Sequence, residues 1–423
     1  MIIKFPYDWA GPVDLGERRV FGPYAPSSGR FGRNGPTLAE ALRKPIGTAS
    51  LRALAGNLIA GRKRVLILAD DMTRSTPVKK ILPPVLQELK AGGINPRDIT
   101  ILIGNGLHRK MTRREIRTHF GENIVRKIRI INHDAGFAPD LRLLCKAGDG
   151  TAVKVNRLLL ESDFILSIGQ IAPHRVAGFS GGAKMVQPGV CGREITASVH
   201  WRGWRMDTGR VFGVRDNPVR AEMDRIAAKA GLAFIVNVVL GDDNRVRGVF
   251  AGHPVLAHRK GCAFADSIYR VRIKKADIVI IDSYPCDLDL WQAAKAATPA
   301  EIAVKPGGSV IFVTPCPEKV SKAHPGLMRG GYKPYSRIKS DVRHGKLTDI
   351  IKASHMTAFG RILDKARIIL VSPGFSKKET ERLGFHFAPD AQSALDRETR
   401  RLGNKATITV IRQGGKLFPI AEN

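Results

Sequence analysis

Five short segments carry side chains whose types and spacing could do chemistry. Residues 70–77 (DDMTRSTP) place two carboxylates, hydroxyls and Arg74 at what reads as a strand-to-helix turn. Backbone N–H groups at a helix start, together with hydroxyls and a guanidinium, make an anion site. Arginine can grip a carboxylate or phosphate through two parallel hydrogen bonds. The same residues also suit an ordinary capped turn. Residues 104–108 (GNGLH) put His108 on a glycine-flanked loop, where an imidazole that titrates near neutrality serves as acid or base, or is simply a partly exposed loop histidine.

The richest segment is 173–184 (PHRVAGFSGGAK). Its glycines allow close approach of backbone to a ligand, and Lys184 can pair with phosphate or act as a covalent anchor. The spacing is neither that of a GxxxxGK[ST] phosphate loop nor of GxGxxG. A tight structural turn would use the same glycines. His200 follows, beside Trp201. Last come residues 283–295 (SYPCDLDLWQAAK). A helix from about 288 sets Trp291, Gln292 and Lys295 on neighbouring turns of one face. Gln and Lys there can hold a carboxylate, or they form a solvated helix end.

The elements that must position these segments follow a regular rhythm. Apolar runs at 64–69, 99–103, 128–131, 164–168, 234–240, 278–281, 310–313, 368–371 and 408–411 read as buried strands separated by helical stretches. A helix is expected from Pro77, capped by Ser75 or Thr76, with Ile81, Val85, Leu86 and Leu89 on its apolar face. TRRE at 112–115 is a capping box. This alternation predicts α/β architecture with mostly parallel sheets, and ligands in such sheets sit beyond the carboxyl ends of strands. Nearly every suggestive residue follows such a run. Two strand entries, SDFILS at 162–167 and ADIVII at 276–281, share an aspartate before an apolar run. They hint at two similar α/β domains facing one another, here divided as 1–270 and 271–423. Residues 320–423 read as continued α/β packing, and residues 1–60 resist assignment.

Composition narrows the classes further. The formal net charge of +31 admits nucleic acid as a partner, but the basic residues are dispersed, and clusters such as 109–117 lack aromatics to stack on bases. Nucleic-acid binding is therefore not expected. The five cysteines form no CxxC pair, which argues against a disulfide framework or a structural zinc site. No apolar run approaches the ~20 residues of a membrane span, and no export signal is visible, so the expected location is cytoplasmic.

Taken in order from about residue 65 to 300, these segments resemble the lactate racemase family, the nickel-pincer-nucleotide 2-hydroxy acid racemases and epimerases. The most specific piece is HxxAGFSGGAKxxxPGV, from His174 to Val190. The resemblance implies two α/β domains with the active site in the cleft between them. It implies a nicotinic-acid-derived mononucleotide with two sulfur arms, joined covalently to Lys184, its nickel held also by His200. His108 and His174 would be the acid–base pair. Asp71, Thr73 and Ser180 would lie around the cofactor, and Arg74, Gln292, Lys295 and Trp291 around the substrate. Trp291 departs from the tyrosine of the lactate-specific pattern, and Arg175 is a second departure. A second cation there would favour a dicarboxylate or a sugar acid.

The expected reaction is inversion at the hydroxyl-bearing carbon of a small 2-hydroxy acid by reversible hydride transfer. The alternatives are a sugar-acid 2-epimerase using the same cofactor, a non-catalytic nucleotide-binding protein, and a basic nucleic-acid binder. Dedicated maturation enzymes would be partners, and the sequence leaves the oligomeric state open.

Overall fold

The computed structural model describes residues 1–26, 35–58 and 63–422. The chain divides into two compact units, Ser28–Ser267 and a second made of Met1–Ser27 with Ile268–Asn423. The expected division placed residues 1–27 with the first unit. The chain contacts instead group them with the C-terminal residues, because Val20–Tyr24 pairs in parallel with Ile408–Ile411 at the edge of the second sheet.

In the Ser28–Ser267 unit, six strands lie in the order Val246–Gly252, Leu232–Leu240, Phe164–Gln170, Val65–Ala69, Ile99–Ile103, Arg129–Asn132. All neighbours are parallel except Val246–Gly252, which pairs antiparallel with Leu232–Leu240. Every residue of Val65–Ala69 and Phe164–Gln170 is buried. Strands of a sheet covered on both faces lose the polar–apolar alternation, which is why these read as continuous apolar runs. Val65 pairs with Ile99 on one side and Phe164 on the other, so three consecutive strand exits lie side by side.

The helix Val78–Ala91 buries Val78, Ile81, Leu82, Val85 and Leu89 against this sheet. Its N-cap is Pro77, with no side-chain cap bond, in contrast to the expected hydroxyl cap. The Thr76 hydroxyl donates instead to Asp70 Oδ2 at 2.7 Å. The capping box of Thr112 and Glu115 opens Arg113–Phe120 as expected.

The second unit repeats the plan. Its sheet runs His386–Phe387, Arg367–Val371, Val304–Val313, Ala276–Asp282, Ile408–Ile411, Val20–Tyr24, all parallel. Among the described residues no helix is long and apolar enough to cross a membrane.

Candidate active site

The exit of Val65–Ala69 supplies two aspartates in succession. Asp71 Oδ2 lies 2.6 Å from Nδ1 of His108, and its Oδ1 accepts from the Thr73 hydroxyl at 2.6 Å and the Thr73 backbone N–H at 3.0 Å. Arg74 donates to the Thr73 hydroxyl at 3.0 Å. Burial pulls the Asp71 carboxyl upward, but His108, Arg74 and Thr73 outweigh it and hold the group well below the usual carboxylate range. Asp70 has the opposite fate. Burial pushes its carboxyl up against the pull of Arg74, Thr76 and Lys184. Its Oδ2 also accepts from the Gln170 backbone N–H at 3.0 Å, tying one strand exit to the next.

His108 sits on the loop after Ile99–Ile103. Gly106, at φ +54°, sends its N–H to Gly189 O at 2.9 Å, and Gly189 N–H reaches Lys184 O at 3.3 Å. These bonds link the His108 loop to the Lys184 turn. A Cβ on Gly189 would lie 2.3 Å from Met185 O, so the close approach requires glycine.

The segment after Phe164–Gln170 first makes a small hairpin, Pro173–His174 against Gly178–Phe179. Nδ1 of His174 accepts the backbone N–H groups of Val176 at 3.2 Å and Ala177 at 3.1 Å. Lys184 follows in the short 3-10 turn Gly182–Met185. Ser180, expected beside the cofactor, directs its hydroxyl to Gln170 O at 2.7 Å and receives the Ala172 N–H at 3.0 Å. It braces the loop from within.

Three residues that sequence reasoning missed hold this loop in place. Asn237 accepts the Gly182 N–H at 2.8 Å. Buried Arg220 donates to Ala177 O at 3.3 Å, Gly181 O at 3.2 Å and Phe179 O. His258 Nε2 meets Ser180 O at 2.9 Å. The only local signal was Asn237, one polar residue inside the apolar strand LAFIVNVVL.

His200 lies on the helix Arg193–Arg205, and its Nδ1 donates to Thr196 O at 2.8 Å. Nε2 therefore carries the lone pair. Burial, then the charges of Lys184 and His108, bring the ring down to about 4, so it is neutral at physiological pH. A neutral imidazole whose other N–H is anchored on a carbonyl is what a metal ligand requires. Among the described residues no three His, Cys, Asp or Glu side chains lie together to hold a metal ion. His200 offers one such nitrogen. The structure gathers Asp70, Asp71, Arg74, His108, Lys184 and His200 into one electrostatic neighbourhood.

Arg175 is turned away from the role expected of it. Its guanidinium donates to Gly203 O at 3.0 Å and Met206 O at 2.7 Å and lies 4.9 Å from the Trp204 ring centroid. A cation is favoured where carbonyls lack partners at a helix C-terminus. Arg175 thereby fastens the His174 turn to the end of the helix that carries His200.

In the second unit the helix at the candidate substrate residues is only Leu290–Ala293, capped by Asp289. Lys295 lies beyond it and donates to Gln292 Oε1 at 2.7 Å, so the two do form a pair. Trp291 is stacked on both faces, by His324 at 3.9 Å and His355 at 4.0 Å between centroids. His355 Nε2 in turn meets the Tyr332 hydroxyl at 2.9 Å.

The fold and this grouping define a two-unit α/β protein with histidines and a lysine gathered beyond parallel strand exits. A lactate racemase N-terminal domain model matches residues 13–209, and a lactate racemase C-terminal domain model matches 271–418. The chain belongs to the lactate racemase family, whose class of reaction is racemisation, an isomerase activity. It is 31% identical to the lactate racemase of Thermoanaerobacterium thermosaccharolyticum over 430 residues, covering 97% of each chain. It is 30% identical to that of Lactiplantibacillus plantarum over 388 residues, covering 89% of each. The lactate racemase apoprotein structure from T. thermosaccharolyticum superposes with a TM-score of 0.87 at 29% identity, covering 99% of this chain and 100% of that one. A Thermotoga maritima protein shares the fold at TM-score 0.72 and 21% identity, covering 88% and 96%.

Proposed function

We propose that the chain is a cytoplasmic racemase or epimerase of a short 2-hydroxy acid that uses a nickel-pincer nucleotide attached at Lys184. The observation that carries this reading is His200, a half-buried neutral imidazole anchored through Nδ1 and within the electrostatic reach of Lys184. When bound, the nucleotide supplies a reversible hydride acceptor. The protein's residues then have two tasks, to orient the substrate and to move the hydroxyl proton. Arg74, Gln292 and Lys295 are assigned to the substrate carboxylate, and His108 and His174 to the proton. Asp71 and Thr73 support His108.

Among substrates, lactate and other small 2-hydroxy acids fit this reading better than a dicarboxylate chosen by Arg175, whose guanidinium is committed to Gly203 and Met206. A sugar-acid 2-epimerase with the same cofactor remains the second reading, and Trp291, stacked between His324 and His355, is the group that would separate the two. Maturation enzymes that build the nucleotide would be partners. The test is protein from a host able to make the nucleotide, analysed for nickel and intact mass and assayed against a panel of hydroxy acids by chiral chromatography. Nickel with a mass adduct and inversion of one panel member is expected. Loaded protein that inverts none would refute the function.

A further inference from the structure

We propose that the fold presets the two working imidazoles in opposite tautomers. His108 meets a substrate oxygen with a lone pair on Nε2, and His174 meets one with an Nε2–H. The argument rests on what faces each Nδ1. At His108 the nearer group is Asp71 Oδ2 at 2.6 Å, which can only accept while ionised, and the Thr73 hydroxyl at 3.4 Å gives its hydrogen to Asp71 Oδ1, so Nδ1 carries the hydrogen. The low titration of the Asp71 carboxyl keeps it ionised. At His174 the neighbours are two backbone N–H groups, which can only donate, so Nδ1 carries the lone pair. In a neutral ring the other nitrogen takes the opposite state.

The two histidines are therefore not interchangeable. His108 can take a hydroxyl proton at Nε2 directly, and the resulting imidazolium is stabilised by Asp71. His174 starts as a hydrogen-bond donor to a substrate oxygen. It can receive a proton at Nε2 only after its ring gives up Nε2–H and takes a hydrogen on Nδ1, which displaces the Val176 and Ala177 N–H groups. Asp71 is on this account a positioning residue for His108. The inference rests on the racemase reading for its consequence, but its geometry does not depend on that reading.

The experiment is a long-range proton–nitrogen correlation spectrum of the full chain, labelled at its histidine ring nitrogens, without cofactor and at a pH where the rings are neutral. His108→Gln and His174→Gln assign the two signals. His200 and His344, whose Nδ1 atoms face the Thr196 and Ser340 carbonyls, give internal examples of the Nδ1–H pattern. His258, whose Nε2 faces Ser180 O, gives the Nε2–H pattern. Nδ1–H at His108 and Nε2–H at His174 are expected. Asp71→Asn, whose amide can donate to Nδ1, should move His108 alone to the Nε2–H pattern. It should also slow racemisation ~10²- to 10⁴-fold, the usual contribution of a general base. The same tautomer at both rings, or no change at His108 in Asp71→Asn, overturns the proposal even if the enzyme racemises. The expected tautomers in loaded protein that inverts no hydroxy acid support the proposal while removing the racemase reading.

Discussion

The two sheets begin alike and end differently. Asp163, just before Phe164–Gln170, accepts the Arg64 backbone N–H at 3.0 Å and so holds the entry to Val65–Ala69. Asp277, at the start of Ala276–Asp282, accepts the Thr407 N–H at 2.9 Å and holds the entry to Ile408–Ile411. The same device aligns one pair of neighbouring parallel strands in each unit. At the exits the buried carboxylates part company. Asp71 faces His108 and is held low. Asp282 accepts from Arg412 at 3.0 Å, Gln413 N–H at 3.0 Å and Tyr284 N–H at 3.2 Å, yet burial wins and pushes it up to about 6. Entries set the scaffold, whereas the partner met at each exit decides between chemistry and structure.

The strongest way to break this contrast is at the exits of the first sheet. Lys184→Ala should abolish any covalent adduct and all racemisation. Intact mass reads this directly, and an adduct that survives would move the anchor elsewhere. His108→Ala and His174→Ala should each lower turnover ~10²- to 10⁴-fold while nickel stays bound, as judged by elemental analysis of the purified variants. Wild-type turnover in either one would leave that histidine outside the proton path.

The corresponding change in the second sheet should act on stability alone. Asp282→Ala strands Arg412 and should cost about 2–3 kcal/mol, below the full cost for a buried pair because Arg412 keeps some contact with water. Denaturant unfolding measures it. The sign of the pH dependence follows from the raised carboxyl. Between about 4 and about 6 the folded chain keeps a proton that the unfolded chain has released, so stability contributed by Asp282 falls as pH rises through that window. Asp282→Asn should flatten that slope. An unchanged slope would mean that the carboxyl ionises normally.

The strands were legible because parallel strands covered on both faces are written as unbroken apolar runs, and the strand Ile99–Ile103 coincides with its run. The site loops were legible because their glycines and polar residues interrupt those runs. What remained hidden depends on contacts remote in sequence. Nothing in VFGPY announces that Val20–Tyr24 pairs with Ile408–Ile411. Neither the stack of Trp291 between His324 and His355 nor the clamp of Arg220 on the glycine loop has a local signature. Adjacent Asp70 and Asp71 are alike in sequence, and only their partners drive them apart.

Arg175 sharpens the comparison with the smallest expected effect. It sits next to His174, where charge alone suggested a second grip on a dicarboxylate. Its guanidinium instead bridges Gly203 O and Met206 O and covers Trp204. Methionine keeps much of the side-chain volume but neither hydrogen bond. Arg175→Met should therefore destabilise the chain by about 1–3 kcal/mol, the range for leaving buried carbonyls without their charged donor. The ratio of monocarboxylate to dicarboxylate turnover should stay unchanged, because the bonds to Gly203 O and Met206 O tie the guanidinium to the protein rather than to a substrate. Nickel retention should weaken along with stability, since the same two bonds fasten the end of the helix that carries His200. A selective loss of dicarboxylate turnover with normal stability would return Arg175 to the substrate and make it part of the chemistry of the first sheet's exits.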